Sequence, residues 1–318
     1  VSEVERVDPC ALTVLRAGAS STIQDLGRSA YRSQGVPQGG AFDRSSHELA
    51  NALLGNKSDA ATVELTLLGG VFRAEVPLAV ALAGAPMAVL KQRPDGTQDR
   101  FEVPIALGLQ PGDLLELGGT AIGVRTYLAV RGGWQTPQIL GSRSTEQALR
   151  AGDCLPAIPS WSPVRRIDPA LSDRIDSTRP IRIMAGPDTA IIRDSCWHHH
   201  AFTVAEASNR MGLRLDGPGL EVLVPADRLS VPVAPGAVQV SGGKLILLGV
   251  ACGTMGGYPM VAHAASCDLD RLAQVRPGED LRFEWIDVNE ARRLDRAERL
   301  RREQRRLRIV TLVRGGKV

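Results

Sequence analysis

Apolar residues come in short runs along most of the chain: 12–15, 62–67, 78–83, 121–130, 181–184 and 245–250. Gly and Pro punctuate them, and many are rich in Val, Ile and Thr. Each is too short for a helix, so the pattern predicts strands up to about Trp285. One helix is predicted in the first half. Asp43 can cap it, Leu49, Ala50, Leu53 and Leu54 form its apolar face, and Gly55 ends it. A second, short helix is predicted over 268–274, with an Asp near its start and Leu269, Leu272 and Ala273 on one side. The last element, 288–307, reads as a charged helix with a thin stripe of Val288, Ala291, Leu294 and Ala297. Such a stripe fits a solvated surface helix or one that docks on an acidic partner rather than completing the fold.

The chain has 318 residues, 33 of them Gly and 20 Pro, which favours two domains rich in turns over a bundle of long helices. Aromatic residues make up 4%, so the core has to be built from Val, Leu, Ile and Ala, and a base-stacking RNA platform is disfavoured. Net charge is +3, and from Asp287 onward eleven Lys/Arg stand against five Asp/Glu. The body is therefore nearly neutral and the tail basic, which is not the broad basic surface of a nucleic-acid binder.

Five cysteines at 10, 154, 196, 252 and 267 form no CxxC pair. They predict neither a disulfide framework nor a zinc knuckle, and a reducing compartment is the simpler reading. The amino terminus VSEVERVDPC carries acids and no apolar core, so it does not read as a signal peptide. Residues 245–267 contain no Asp, Glu, Lys or Arg, but four glycines and a proline interrupt them. That pattern predicts a buried strand, a glycine turn and a second strand rather than a membrane span. The expected location is cytoplasmic.

Three segments echo one another: GLQPGDLLELGG (108–119), LRAGDCLPA (149–157) and QVRPGEDLRFEW (274–285). Each places Gly before an acid at a turn, a pattern that either internal duplication or a common strand connection produces. PAIPSWSPVRRIDPALSD (156–173), with four prolines and no periodicity, is the expected linker.

Candidate chemistry is sparse. No phosphate loop, GxSxG elbow or HExxH is present. His198, His199 and His200 lack a third ligand at zinc spacing and read better as a polar strand edge or turn, so no metal is expected. GTMGGYP (253–259) joins two strands through three glycines. Its backbone N–H groups and the Thr254 hydroxyl can approach an oxyanion or ureido oxygen, or the loop can be a tight structural turn. SNRMGLRLDG (208–217) gathers Ser208, Asn209, Arg210 and Arg214. The two arginines can fork onto a carboxylate or pair with surface acids. GSRST (141–145) offers a similar mixture, with Arg143 between hydroxyls.

These segments also carry a resemblance. IQDLGR (23–28), GVPQGGAFD (35–43), ELANALLGN (48–56), VELTLLGG (63–70), RTYLAVRGG (125–133), LGSRST (140–145), SNRMGLRLDG, GGYP and DLDRLAQVRPGEDLRF (268–283) run in one order. That order resembles the allophanate hydrolase subunit 2 family, also called the KipA or biotin-dependent carboxyltransferase family. The resemblance implies a mainly β fold of two cyclophilin-like β-barrel modules, with a few short helices and a C-terminal charged helix. The modules are expected at 10–160 and 178–286, with a basic helix and tail at 287–318.

Members work with a KipI or allophanate hydrolase subunit 1-like partner on a small amide or ureido substrate. The resemblance implies three roles: a subunit of ATP-dependent 5-oxoprolinase, the carboxyltransferase half of urea carboxylase, or a regulator that antagonises a KipI-like kinase inhibitor. The first is favoured because the chain has this size and carries no fused carboxylase or carrier. ATP or carboxybiotin would arrive on partner chains, with no cofactor held by this chain alone. The residues expected to act are Thr254, Gly256 and Gly257 as oxyanion donors. Ser208, Asn209, Arg210, Arg214, Arg143 and Tyr258 are expected to bind substrate. No nucleic acid or membrane is expected as a partner. The sequence departs from the family pattern in two places. VACGTMGGYP stands where members read like ADRQTTGGYP, leaving Ala251 and Gly253 at the acid and amide positions. The glycine-rich insertion after GSRST is also missing.

Overall fold

The computed structural model describes residues 10–168, 171–172, 175–176, 178–194, 196–222 and 228–316. The first nine residues, read above for a leader, and parts of 156–173 lie outside these. The fold is mainly β and forms two compact units. The first takes the described residues of Val1–Leu26, Ser45–Asp173 and Arg305–Val318, and the second those of Gly27–Arg44 and Arg174–Gln304.

The first unit holds two six-stranded sheets. One runs in the spatial order Cys154–Pro156, Cys10–Arg16, Val71–Ala74, Leu114–Thr120, Met87–Gln92, Gln98–Glu102. The other runs Arg165–Arg166, Ile105–Leu109, Leu78–Gly84, Arg125–Val130, Thr62–Thr66, Ser20–Gln24. Their inner faces share one core, with Leu12, Phe72 and Leu115 from the first and Val63, Leu82 and Leu128 from the second. The alternating burial of Leu114–Thr120 is that of a strand with one solvent face, whereas Leu78–Ala83 is buried throughout and reads as a continuous apolar run. The predicted helix is α1 (Arg44–Leu53), with Leu49, Ala50 and Leu53 buried.

In the second unit an eight-stranded sheet runs Asp280–Leu281, Phe202–Val204, Gly212–Asp216, Lys244–Leu248, Ala237–Ser241, Met260–Ala264, Ile181–Ala185, Phe283–Trp285. Only the last pairing is parallel among the described strands. The predicted strand, glycine turn and strand over 245–267 are present, and no helix among the described residues is long and apolar enough to cross a membrane. The few aromatics concentrate here: Trp197 meets Phe202, Phe283 and Trp285 edge-on at centroid distances of 6.4, 5.6 and 5.8 Å. A short helix, α2 (Leu269–Leu272), lies within the range expected to be helical.

The three sequence echoes share one geometry. The N–H of Gln110, Arg150 and Arg276 donates to the side-chain carboxylate of Asp113, Asp153 and Glu279, at 2.8, 2.7 and 3.1 Å. The glycine N–H of each turn then donates to a carbonyl of the neighbouring strand (Ala74, Val14 or Val204), each at 2.8 Å. The carbonyl of each acid accepts the N–H of that same strand residue. Glycine is required because φ is +86°, +92° and +83° at the three positions.

Several expectations need correction. Cys10 and Cys154 form a disulfide linking two neighbouring strands, so the argument from unpaired cysteines to a reducing compartment loses its premise. The expected linker is pinned to the first unit through Arg165–Arg166, which pairs with Ile105 and Ala106. The C-terminal helix α3 (Val288–Arg314) does not stand off the body. Its earlier part packs through buried Ala291 and an Arg302–Asp270 contact of 3.4 Å. Its final part buries Ile309 fully and donates from Arg305 to the Ser45 hydroxyl at 2.6 Å. The histidine triplet needs no such correction: it lies in a turn, one of the two forms expected, with Trp197–His199 as a 3₁₀ turn and His200 Nε2 meeting Asp194 Oδ2 at 2.9 Å.

Candidate functional site

The glycine loop of the second unit is built as a short β arm. Met255–Gly256 pairs with Val231–Pro232, and Val233 N–H extends the ladder to the Thr254 carbonyl at 3.0 Å. A Cβ on Gly256 would stand 2.7 Å from Gln239 Nε2 and 3.0 Å from a Val233 methyl, so a side chain there would displace the Gln239 amide. Gln239 Nε2 in turn donates to the Tyr258 carbonyl at 3.2 Å. On the other side Arg228 donates Nε to the Gly257 carbonyl at 3.2 Å and forks onto Asp188 at 3.0 and 2.6 Å. Burial pushes the Asp188 carboxyl up, but Arg228 and the Met260 N–H more than offset it and hold it below the usual range. The loop is thus fixed before any ligand arrives.

Beside this arm lies a cleft of about 670 Å³, lined by Arg32, Ser33, Gly35, Pro232, Val233, Ala234, Thr254, Met255, Met260 and His263. That volume is in the range that takes a small ligand. Its walls are mostly apolar, with a few groups able to orient a ligand. Arg32 sits in the 3₁₀ turn Ser29–Gln34, which Gly35 closes by donating its N–H to the Arg32 carbonyl at 3.1 Å. The Arg32 Nη2 donates to the Val233 carbonyl. Its Nη1 is buried and finds no oxygen or nitrogen acceptor among the described residues. His263 Nδ1 lies 2.9 Å from the Ala264 carbonyl. A carbonyl only accepts, so Nδ1 carries a proton, and in the neutral ring Nε2 is the nitrogen with the lone pair. Cys252 is buried nearby. Burial raises its thiol pKa, opposed by the Arg32 cation, so the group is a neutral thiol at neutral pH.

Of the residues expected from sequence, Thr254 lines this cleft. Gly256 and Gly257 lie in the adjoining arm, outside the lining residues, and Tyr258 exposes its side chain. SNRMG meets the approach to the glycine loop through main chain, with Ala251 N–H to the Arg210 carbonyl at 3.0 Å and Gly249 N–H to the Met211 carbonyl at 2.9 Å. The side chains do other things. Arg210 is 8% exposed and its Nη2 donates to the Gly40 carbonyl at 2.7 Å. Arg214 points outward from the strand Gly212–Asp216. Ser208 Oγ accepts the Arg214 N–H at 3.0 Å and Asn209 Oδ1 accepts the Met211 N–H at 2.8 Å, so both shape the turn.

Arg143 belongs to the first unit and lines a separate cleft there of about 300 Å³, with Ser142, Ser144, Thr145 and Gln147. The two serine hydroxyls of GSRST are committed to buried Asp25. Ser142 and Ser144 both donate to its Oδ1 at 2.6 Å, and Arg143 N–H donates to Oδ2 at 2.6 Å. Arg143 Nη2 reaches Gln135 Oε1 at 3.2 Å. Sequence reasoning missed Arg32 and His263. Arg32 lies between two of the quoted motifs, IQDLGR and GVPQGG, and that position is the one signal that could have drawn attention to it.

A family model described as "Carboxyltransferase domain, subdomain A and B" matches residues 34–285. The chain is 33% identical to the C subunit of 5-oxoprolinase from Haemophilus influenzae, covering 92% of this chain and 97% of that protein. It is 30% identical to urea amidolyase of Lachancea kluyveri over 91% of this chain, but spans 18% of that much longer protein. Among solved structures, Kluyveromyces lactis urea amidolyase superposes with a TM-score of 0.81 at 25% identity, covering 96% of this chain and 20% of that one. The strand order, the motifs and these likenesses agree, and the chain belongs to the carboxyltransferase domain family, subdomains A and B.

Proposed function

We propose that this chain is one subunit of a multi-chain enzyme that opens 5-oxoproline to glutamate with ATP. The observation that carries this reading is co-extension. The chain pairs with nearly the whole of the 5-oxoprolinase C subunit, whereas it spans under a fifth of urea amidolyase. In the reaction water adds to the lactam carbonyl, the ring C–N bond breaks, and the nitrogen becomes the amine of glutamate while ATP is hydrolysed. Charge develops on the lactam oxygen, which calls for donors positioned beforehand, and the Thr254 hydroxyl in the cleft is suited to that. In its neutral form the His263 ring, with Nδ1–H held by the Ala264 carbonyl, presents Nε2 as the nitrogen suited to accept a proton from the attacking water. ATP would be bound by partner chains, one of them KipI-like, and the assembly would work in the cytoplasm.

Carboxyl transfer from carboxybiotin to urea is the second reading, supported by the family model and by the likeness to urea amidolyase. Ala251 and Gly253, at the positions where the resemblance expects an acid and an amide, bear on both catalytic readings alike and favour the non-catalytic regulator. What sets the carboxyl-transfer reading second is the small share of urea amidolyase that the chain spans. The deciding experiment combines the purified chain with its KipI-like partner and the remaining subunit. It follows glutamate formation from 5-oxoproline with ATP and, separately, urea carboxylation with carboxybiotin. The expected result is ATP-dependent glutamate formation by the complex and none by the chain alone. Turnover of urea and not 5-oxoproline would replace the first reading with the second.

A further inference from the structure

We infer that the cleft of the second unit is a carboxylate site in which Arg32 holds the anion. Three observations lead there. Arg32 carries a fixed positive charge, and no carboxylate pairs with it among the described residues. One arm of its guanidinium is spent on the Val233 carbonyl, which fixes the plane of the fork. The other arm, Nη1, is buried and has no oxygen or nitrogen acceptor among the described residues, with the neutral Cys252 thiol, a weak acceptor that cannot balance the charge, beside the guanidinium. A buried donor on a cation costs free energy until something accepts from it, and an anionic oxygen is the partner that satisfies both donor and charge. The described residues lining the cleft include no Asp or Glu that could supply that oxygen from the protein.

The same lining narrows the class of anion. Arg32 is the only Lys or Arg among the described lining residues, so the cleft balances one negative charge. A monoanionic planar carboxylate fits this better than a phosphate dianion, which ordinarily gathers several donors and cations. Val233, Ala234, Met255 and Met260 then offer apolar contact to a short carbon skeleton, with Thr254 and His263 to meet a polar group on it. Naming the skeleton as the lactam ring of 5-oxoproline rests on the function proposed above, whereas the assignment of a carboxylate to Arg32 does not. Arg210 and Arg214, the arginines that the sequence offered for this task, are not among the residues lining the cleft.

The test is a binding titration on the full chain, by calorimetry or ligand-observed NMR. The probes are 5-oxoproline, 2-pyrrolidinone (the same ring without the carboxylate), glutamate, succinate and inorganic phosphate. Wild type is compared with Arg32→Gln and Arg32→Lys, and melting curves confirm that each variant is folded. Arg32→Lys keeps the charge and one donor but loses the fork, so it serves if the Gln variant does not fold. The expected result is 5-oxoproline binding that falls about 10- to 150-fold in Arg32→Gln and by less in Arg32→Lys. Binding of 2-pyrrolidinone should be weak in all three proteins. If glutamate or succinate binds through Arg32 and 5-oxoproline does not, the carboxylate site stands and the 5-oxoprolinase reading falls. Carboxylate binding that survives in a folded Arg32 variant would overturn the inference. So would equal losses for 2-pyrrolidinone, a preference for phosphate, or no carboxylate binding to wild type at millimolar concentration.

Discussion

Asp268 is fully buried, and its carboxylate receives Arg182 through Nε at 2.9 Å and Nη2 at 2.5 Å, the Arg182 N–H at 2.8 Å, and Arg271 Nη1 at 3.2 Å. Burial alone would raise its pKa, but these donors more than compensate and hold it below the ordinary carboxylate value, while that of Arg182 is raised. A carboxyl whose folded pKa is depressed adds stability above its unfolded pKa, about 3.9, and that stability is lost as pH falls through the folded value. Asp268→Asn should therefore cost about 1.5–3 kcal/mol at pH 7, since it removes the buried charge that two half-buried guanidinium groups are bonded to. The gap between variant and wild type should narrow below about pH 4. Urea melts at pH 7 and pH 3 check this, and an equal gap at both would mean that the charge is not what matters. Such residues are poorly legible in sequence because their partners are remote. Ser142 and Ser144 stand 117 and 119 positions from Asp25. Arg125 and Tyr127 alternate on a strand and so share a face, yet nothing in spacing reveals that both bind Glu64, at 3.2 and 2.8 Å. Of the residues lining the cleft, Thr254 stands out in the sequence because a hydroxyl in a glycine loop is conspicuous, whereas Arg32 sits in a short turn with no periodicity.

At the scale of elements, periodicity and turn chemistry served well. The strands, α1 and the long final helix follow from them, as does the repeated acid turn. What a stripe of four small apolar residues could not convey is where the helix end goes. Val288 is 49% exposed while Ile309, beyond the range read as helix, is fully buried. Ile309→Ala should cost about 2–5 kcal/mol, the range for emptying a buried site, and removing everything after Asp287 should lower the melting temperature further. A truncated chain that melts like the full one would restore the picture of a free docking tail. The turns allow a cleaner test. Around Gly278 nothing lies within 4 Å of an added Cβ, so only its φ of +83° resists a side chain. Gly278→Ala should cost about 1–2 kcal/mol through backbone strain alone, read as a shift in the urea midpoint at unchanged slope.

On the scale of the whole molecule, the second unit is not continuous in sequence: it takes residues 27–44 from among those of the first. This early segment contributes to that unit's interior. Phe42 is 1% exposed in its core, Gly39 N–H donates to the Val250 carbonyl at 3.2 Å, and the Gly40 carbonyl accepts from Arg210. Asp43 accepts from buried Gln274 at 2.7 Å, and Arg32 supplies the charged wall of the cleft. Domain boundaries drawn from linkers and composition are contiguous by construction, and a segment reaching across some 200 positions leaves no compositional trace. Sequence-local reasoning therefore had no means of pairing GVPQGGAFD with SNRMGLRLDG, although each stands out as a motif. The consequence is testable. A fragment of residues 174–304 lacks Phe42, whose loss from a core costs about 3–5 kcal/mol, a large share of what a domain of this size has in reserve. It should fail to show a cooperative melt, and one that carries 27–44 joined to its amino end through a flexible linker should regain it. Within the intact chain Phe42→Ala should lower the transition of the second unit specifically, resolved by hydrogen exchange over 237–264. A fragment of 174–304 that melts cooperatively by itself would show that the early segment only decorates a unit able to fold without it.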